Sequence, residues 1–169
     1  KIESLAIVAD PGETLAGSYE EGLELFRFFK SLNLPISFSF YSKPLLAKEF
    51  NSILQEKTLV HFSGHIEEKG LWLGKEFYHP KDFSHTLPPL LFLNGCALKP
   101  NLLKAFIKRQ AKNIVYFNTQ QKDTHHPLDK LKKFYLGLLI GYRIGDCMRQ
   151  TLDFKTARLY GWMTNRFTF

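Results

Sequence analysis

The sequence predicts an α/β fold, with a mostly parallel central β-sheet between two layers of helices. Two observations support this prediction. Short strand-like apolar runs alternate along the chain with segments of helical periodicity, which is the order typical of parallel sheets. The run LLFLNGC at 90–96 is apolar at almost every position, which indicates a strand buried on both faces.

The elements follow one another without a linker, an internal repeat or a low-complexity stretch, so we expect a single domain over residues 1–169. Ser18, with Glu21 three residues later, has the spacing of a capping box at the start of the first helix. Residues 70–79 predict a small hairpin. The predicted strands are 4–10, 36–42, 58–65, 90–96, 113–119 and one within 162–169, and the predicted helices are 18–32, 45–56, 101–112, 128–142 and 144–160.

Composition excludes several classes of protein. Hydrophobic residues make up 44% of the 169 residues, and 16 residues are Phe, which rules out a disordered chain. No apolar run reaches the length that crosses a membrane, and no secretory signal is visible. Because the chain begins with Lys1 in a strand-like segment, we expect it to be the C-terminal part of a longer protein.

The net charge of +7 raises the question of nucleic acid. The basic residues, however, are dispersed along helical segments, as Lys104, Lys108 and Lys112 are, which favours solvated helix faces over a binding patch. We therefore do not expect direct nucleic-acid binding. Metal-ligand spacing is absent, since His125 and His126 are adjacent with no cysteine near them, and no Gly-rich phosphate loop occurs, so no metal or other cofactor is expected.

Three chemically distinctive residues stand at the ends of predicted strands: Asp10, His65 and Cys96. Functional groups in open parallel sheets gather beyond the carboxyl ends of the strands. If the strands ending in Gly64-His65 and Gly95-Cys96 are neighbours, their last residues emerge side by side. A histidine beside a cysteine can take the thiol proton, and the resulting ion pair stabilises a nucleophilic thiolate.

Structural roles remain open for the same residues. A cysteine at a strand end can serve as a small buried hydrophobe, and a histidine beside a glycine turn can be structural. Asp10 precedes Pro11 and can simply form a turn. His61 shares a strand face with His65 and is interpreted as a buried, hydrogen-bonded histidine or a supporting partner. Cys147 lies in a helical pattern and is predicted to pack in the core.

The order of motifs resembles the CHAT domain, the caspase-like module often found after tetratricopeptide repeats in bacterial proteins. The resemblance runs from about Ser4 to Phe169, and its most specific parts are the Gly-His and Asn-Gly-Cys strand ends. The motifs that carry it are AIVADPGETLAGSYEEG, LVHFSGH, GLWLG, LLFLNGC, NIVYFNTQQKD, KFYLGLLIGYRIGDCMRQT and YGWMTNRFTF.

This resemblance implies a caspase/gingipain-like three-layer sandwich with a cysteine endopeptidase site. Cys96 would be the nucleophile and His65 the base. The backbone N–H groups of Cys96 and Ile66, with Gly95 shaping the turn, would form the oxyanion hole. Relatives commonly have Gly where this chain has Ile66, so we expect a β-branched side chain to crowd the cleft.

Substrate recognition departs from the family pattern as well. Clan relatives often place an acidic residue two positions before the cysteine, where this chain has Asn94. Asp10 occupies the other acidic position, so Asp10 and Asn94 are the predicted substrate contacts. A preference for Arg or Lys before the scissile bond would then depend on one acid.

The sequence therefore supports one leading function and two alternatives. The leading function is a bacterial, cytoplasmic cysteine endopeptidase that cleaves a protein or peptide and is regulated by an upstream sensor region, such as tetratricopeptide repeats. The first alternative is a catalytically inactive caspase-fold module that acts as an interaction scaffold. The second is a basic effector associated with nucleic acid, whose binding would weaken steeply with salt. With only two cysteines and no disulfide framework, a reducing compartment is expected.

Overall fold

The computed structural model describes residues 1–118, 128–152 and 156–167. The described residues form nine strands and five α-helices. The strands are β1 (Ser4–Ala9), β2 (Ser37–Tyr41), β3 (Leu59–Gly64), β4 (Ile66–Glu67), β5 (Gly70–Trp72), β6 (Phe77–Tyr78), β7 (Leu90–Gly95), β8 (Ile114–Phe117) and β9 (Ala157–Tyr160). The helices are α1 (Ala16–Ser31), α2 (Ala47–Glu56), α3 (Pro100–Lys108), α4 (Leu128–Leu139) and α5 (Ile144–Thr151), with a short 3₁₀ helix at Pro80–Asp82.

Six strands form a central sheet in the order β2-β1-β3-β7-β8-β9. The first five strands in this order pair in parallel, and β9 pairs antiparallel with β8. Strands β1 and β3 are buried along their whole length, as expected for central strands of a parallel sheet. The prediction of a mostly parallel sheet is therefore confirmed.

The helices lie on both faces of this sheet and give two separate halves of the core. Leu5 and Ile7 of β1 pack on the face covered by α1, α4 and α5. Ala6 and Val8, which point the other way, pack on the face covered by α2, α3 and a second sheet, β4-β5-β6. The small antiparallel sheet contains the predicted hairpin at 70–79, with β4 added to it.

Two predictions near the end of the chain are wrong. The helix predicted over 144–160 ends at Thr151, and Ala157–Tyr160 forms the antiparallel edge strand β9. Leu159 and Tyr160 pack on opposite faces of the sheet, so pairing with β8 outweighs the local helical pattern. Residues 162–167 contain no strand, only a single bridge between Arg143 and Arg166, and residues 168–169 lie outside the described part of the chain.

The capping box predicted at the first helix is also wrong. Helix α1 begins at Ala16, so Ser18 and Glu21 lie inside it, and both are buried. The carboxylate of Asp10 instead accepts the backbone N–H groups of Thr14 and Leu15, at 3.0 and 2.8 Å. Asp10 thus fixes the turn that leads into α1, whereas the N-cap residue Leu15 makes no side-chain capping hydrogen bond.

Helix α1 approaches β1 most closely at Gly22, where a Cβ atom would lie 2.3 Å from the Cβ of Ala9. We expect Gly22→Ala to lower the free energy of unfolding by about 1–3 kcal/mol, because the helix must move away from the sheet. Denaturant unfolding measures this change. The control Gly17→Ala, at a half-buried position of the same helix, should be neutral or stabilising because Ala favours helices. Equal losses in both variants would contradict the close-approach explanation.

Candidate active site

The sheet places His65 and Cys96 at the carboxyl ends of two neighbouring strands. Strands β3 and β7 pair in parallel, and Gly64 lies opposite Gly95 at the end of the register. His65 follows Gly64 directly after β3, and Cys96 follows Gly95 directly after β7. Because paired strands run about 4.8 Å apart, the backbones at these two residues begin side by side. Both residues are partly exposed, so the strand ends open to solvent.

The glycines before the two residues are required by the close approach of the strand ends. A Cβ at Gly95 would lie 2.3 Å from the carbonyl oxygen of Gly64 and 2.9 Å from Cγ1 of Ile66. A Cβ at Gly64 would lie 3.1 Å from the ring of Phe62. Any side chain at position 95 would therefore push β7 away from the residues around His65.

His65 is held by the segment that leads into α1 and by the small sheet. Its Nε2 lies 3.1 Å from Oγ1 of Thr14, and its carbonyl oxygen accepts the N–H of Trp72 at 3.0 Å. If Nε2 carries the proton and donates it to the Thr14 hydroxyl, Nδ1 keeps a free lone pair. The Thr14 contact can thus select the tautomer in which Nδ1 acts as a base. Sequence analysis missed Thr14, because its contact with His65 is made 51 residues away along the chain.

The side chain of Ile66 is buried against Gly95, at the end of β7, and is not directed to solvent. It is 3% exposed and packs in the core half covered by α2 and α3, so the expectation that it crowds the cleft is wrong. Ile66 lies opposite Leu71, between the pair Glu67–Gly70 and the hydrogen bond of Trp72 to His65. This is the non-hydrogen-bonded position of an antiparallel ladder, where the backbone N–H points away from the partner strand.

Asp10 and Asn94, the predicted substrate contacts, use their polar groups inside the protein. Asp10 accepts two backbone N–H groups of the turn just before α1, and it takes a left-handed conformation with φ of 45°. It also lines a pocket of about 410 Å³ with Thr14 and Tyr19. The amide nitrogen of Asn94 donates to both oxygens of Glu21, at 2.8 and 2.9 Å. The role of Asp10 and Asn94 in substrate binding stays a prediction. Their hydrogen bonds to groups within the protein favour a role in holding the turn before α1 and the end of β7 in place.

Below the strand ends lies a buried polar network of Glu21, His61, Asn94 and Tyr135. The ring of His61 lies with Nε2 3.3 Å from Oε1 of Glu21 and with Nδ1 2.7 Å from the hydroxyl oxygen of Tyr135. Burial, together with the nearby charge of Glu21, raises the pKa of Tyr135 well above its ordinary value. Tyr135 therefore keeps its proton. In the tautomer of His61 that carries its hydrogen on Nε2, the Tyr135 hydroxyl donates a hydrogen bond to Nδ1 and Nε2–H donates one to Oε1 of Glu21.

This network joins both candidate strand ends to the helices on one face. His61 is four residues before His65 on β3, Asn94 is two residues before Cys96 on β7, and Glu21 lies on α1. Tyr135 adds α4 to the same network. His61, expected to be a buried histidine or a supporting partner, is 0% exposed and makes both bonds. Glu21 could have been found from sequence, because it shares a helical face with Leu25 and Phe29.

The second cysteine is part of the core. Cys147 is 1% exposed and packs beside Gly137, where a Cβ would lie 2.7 Å from its sulfur, so the core prediction is confirmed. Burial, and to a smaller extent the charge of Asp146, raises its pKa to about 11. Both cysteines are free thiols.

The described residues contain no group of three or more His, Cys, Asp or Glu side chains that could hold a metal ion. His125 and His126 lie outside the described residues. Within the described ranges, no helix is both long and apolar enough to cross a bilayer.

Comparison with known proteins adds no identification. No protein-family model matches the chain, and no curated protein sequence is significantly similar to it.

The buried network predicts a stability effect of Glu21→Gln. The new amide group would face the Asn94 amide, so one buried donor would lose its acceptor, and we expect unfolding free energy to fall by about 1–3 kcal/mol. Glu20→Gln is the matched control, because Glu20 is the exposed neighbour on the same helix and should change stability by less than about 0.5 kcal/mol. Chemical denaturation of both variants measures the difference. Similar values for the two variants would argue against a structural role for the network.

Alkylation should distinguish the two thiols. Iodoacetamide at neutral pH should label Cys96, which is partly exposed, and leave Cys147 unmodified in the folded protein. The raised pKa of about 11 keeps Cys147 almost entirely protonated at neutral pH, and its reactive fraction grows only as the pH rises toward that value. Peptide mass spectrometry identifies the modified residue. Labelling of Cys147 before Cys96 without denaturant would contradict this assignment.

Proposed function

We propose that this chain is a cysteine endopeptidase of the caspase-like clan, with Cys96 as nucleophile and His65 as general base. The observation that carries the proposal is the register of β3 and β7, which places Gly64 opposite Gly95 and so starts His65 and Cys96 side by side. The three-layer α/β architecture with a mostly parallel sheet is compatible with a caspase-like fold. The resemblance of the motif order to CHAT domains supports the same assignment.

The proposed reaction follows from the two side chains. Nδ1 of His65 takes the proton of the Cys96 thiol, and the thiolate attacks the carbonyl carbon of the scissile peptide bond. The imidazolium then protonates the departing amine, so that the C–N bond breaks and a thioester remains. Water, deprotonated by His65, attacks the thioester and releases the carboxylic acid, and the proton returns to the Cys96 sulfur.

The negative charge that develops on the carbonyl oxygen needs donors close to the nucleophile. The N–H of Ile66 points away from β5, and the side chain of Ile66 is buried beneath Gly95, so this N–H and that of Cys96 can serve as the oxyanion hole. The pocket of about 410 Å³ beside Thr14 is the proposed place for the substrate side chain. We place the reaction in the cytoplasm, where a free catalytic thiol stays reduced.

An interaction module without catalysis is the second candidate function. The observation that favours it is a group of large apolar side chains that remain exposed where α4 and α5 meet the chain after β9. Ile140 and Trp162 are 65% and 76% exposed, and Tyr142 and Met163 are near half exposed. The N–H of Gly145 donates to the carbonyl of Met163, which brings the two segments together. Exposed apolar groups of this kind are typical of protein-interaction surfaces.

Variants of the two proposed catalytic residues test the endopeptidase. Cys96→Ala should reduce cleavage of a peptide library to background, and His65→Ala should reduce it by about 10²–10⁴-fold. Thr14→Val should lower kcat more than it raises KM, because it removes a contact that orients His65. Cys147→Ala is the matched control and should keep the cleavage rate if the variant folds. Cleavage that survives in Cys96→Ala would overturn the assignment of Cys96 as nucleophile. Full biological activity of both Cys96→Ala and His65→Ala would instead favour the interaction module.

A further inference from the structure

A pocket of about 600 Å³ lies on the α2/α3 face of the sheet, away from Thr14 and Asp10. Its walls are the 3₁₀ helix at Pro80–Asp82, the exposed side of α3, and Glu68 in the turn between β4 and β5. A volume of this size falls within the range of small-molecule sites.

The walls of this pocket carry an excess of positive charge. Lys81, Lys104, Lys108 and Arg109 line it, against the single carboxylate of Glu68. Lys104 and Lys108 are four residues apart on α3, so two like charges stand on one helix face, which is unfavourable unless an anion lies between them. His79 also lines the pocket, and burial, followed by the charge of Lys81, lowers its pKa.

Arg109 distinguishes this pocket from an ordinary solvated lysine face. It is only 8% exposed, and its guanidinium donates to the hydroxyl of Tyr78, the carbonyl of His85 and Oδ1 of Asn51. All three acceptors are neutral, because burial raises the pKa of Tyr78 to about 12. Within the described residues, Arg109 forms no ion pair with a carboxylate.

A buried cation without a counter-charge is costly, and the cost falls when an anion occupies the space next to it. Glu68 lines the pocket and Asp82 ends the 3₁₀ helix; both are exposed, and neither is an ion-pair partner of Arg109 among the residues that the structure describes. An anion bound in the pocket that Arg109 and the three lysines line would place a negative charge beside these cations.

We propose that this pocket binds a phosphate group. A phosphate monoester carries close to two negative charges and three strong acceptor oxygens, which suit several ammonium groups arranged around a recess. Pro80, Phe83 and Ala105 complete the lining and offer an apolar surface to an organic part of the ligand. The phosphate can belong to a small organic ester or be free inorganic phosphate. This site is independent of the proposed peptidase chemistry.

Calorimetric titration with ADP, ribose 5-phosphate and inorganic phosphate tests the proposal at low salt. We expect at least one of these to bind the wild-type protein, and Lys104→Gln with Lys108→Gln to weaken that binding at least about tenfold. The matched control is Lys130→Gln with Lys133→Gln, which removes the same charge from exposed positions of α4 and should leave the affinity unchanged. Tighter binding of the two esters than of inorganic phosphate would support an organic ligand, and the reverse order would support free phosphate.

The titration of His79 reports whether the anion binds in this pocket. A phosphate in this pocket should raise the pKa of His79, measured by NMR titration, because it offsets the charge of Lys81. Thermal unfolding without added anion verifies that both double variants fold. The proposal is overturned if none of the three anions binds, if both double variants lose affinity equally, or if binding leaves the His79 titration unchanged.

Discussion

The candidate site depends on the hydrogen bonds that the buried carboxylate of Glu21 makes with the two central strands. Glu21 lies on α1, accepts both hydrogen bonds from Asn94 on β7, and approaches His61 on β3, whose other ring nitrogen contacts Tyr135 on α4. A buried polar network is stable only when its members are satisfied, so it allows few alternative arrangements of these four elements. The positions of the β3 and β7 ends are thereby linked to the helices that cover them.

Backbone contacts at Gly95 and His65 also fix the positions of the two strand ends. A Cβ at Gly95 would collide with the Gly64 carbonyl oxygen, and it would also meet the side chain of Ile66. The β4–β5 hairpin then holds the His65 carbonyl, while Thr14 reaches Nε2 from the start of α1. The proposed proton transfer between His65 and Cys96 therefore depends on the pairing of β3 with β7, on Gly95, on the β4–β5 hairpin and on the Thr14 hydroxyl. Substitutions can test each of these features separately.

The fold was largely predictable because its signals are local. The central strands are short apolar runs, and their bounds were predicted to within two residues or less in the case of β1, β3 and β7. The prediction failed at Ala157–Tyr160, where a segment compatible with a helix pairs with the edge of β8. It also failed at Ser18, because the spacing of Ser18 and Glu21 does not show that the helix already begins at Ala16, after a turn that Asp10 holds.

The sequence by itself determined the alternation of strands and helices, and it determined that His65 and Cys96 follow glycines at strand ends, because periodicity and chain order are local properties. Only the tertiary structure decided that β3 and β7 are neighbours and that Ile66 turns its side chain into the core. It also decided that the amide of Asn94 donates its hydrogen bonds to Glu21. It also decided that lysines dispersed along the chain meet the buried Arg109 around one recess. Such contacts join residues tens of positions apart, and packing against both faces of the sheet selects them.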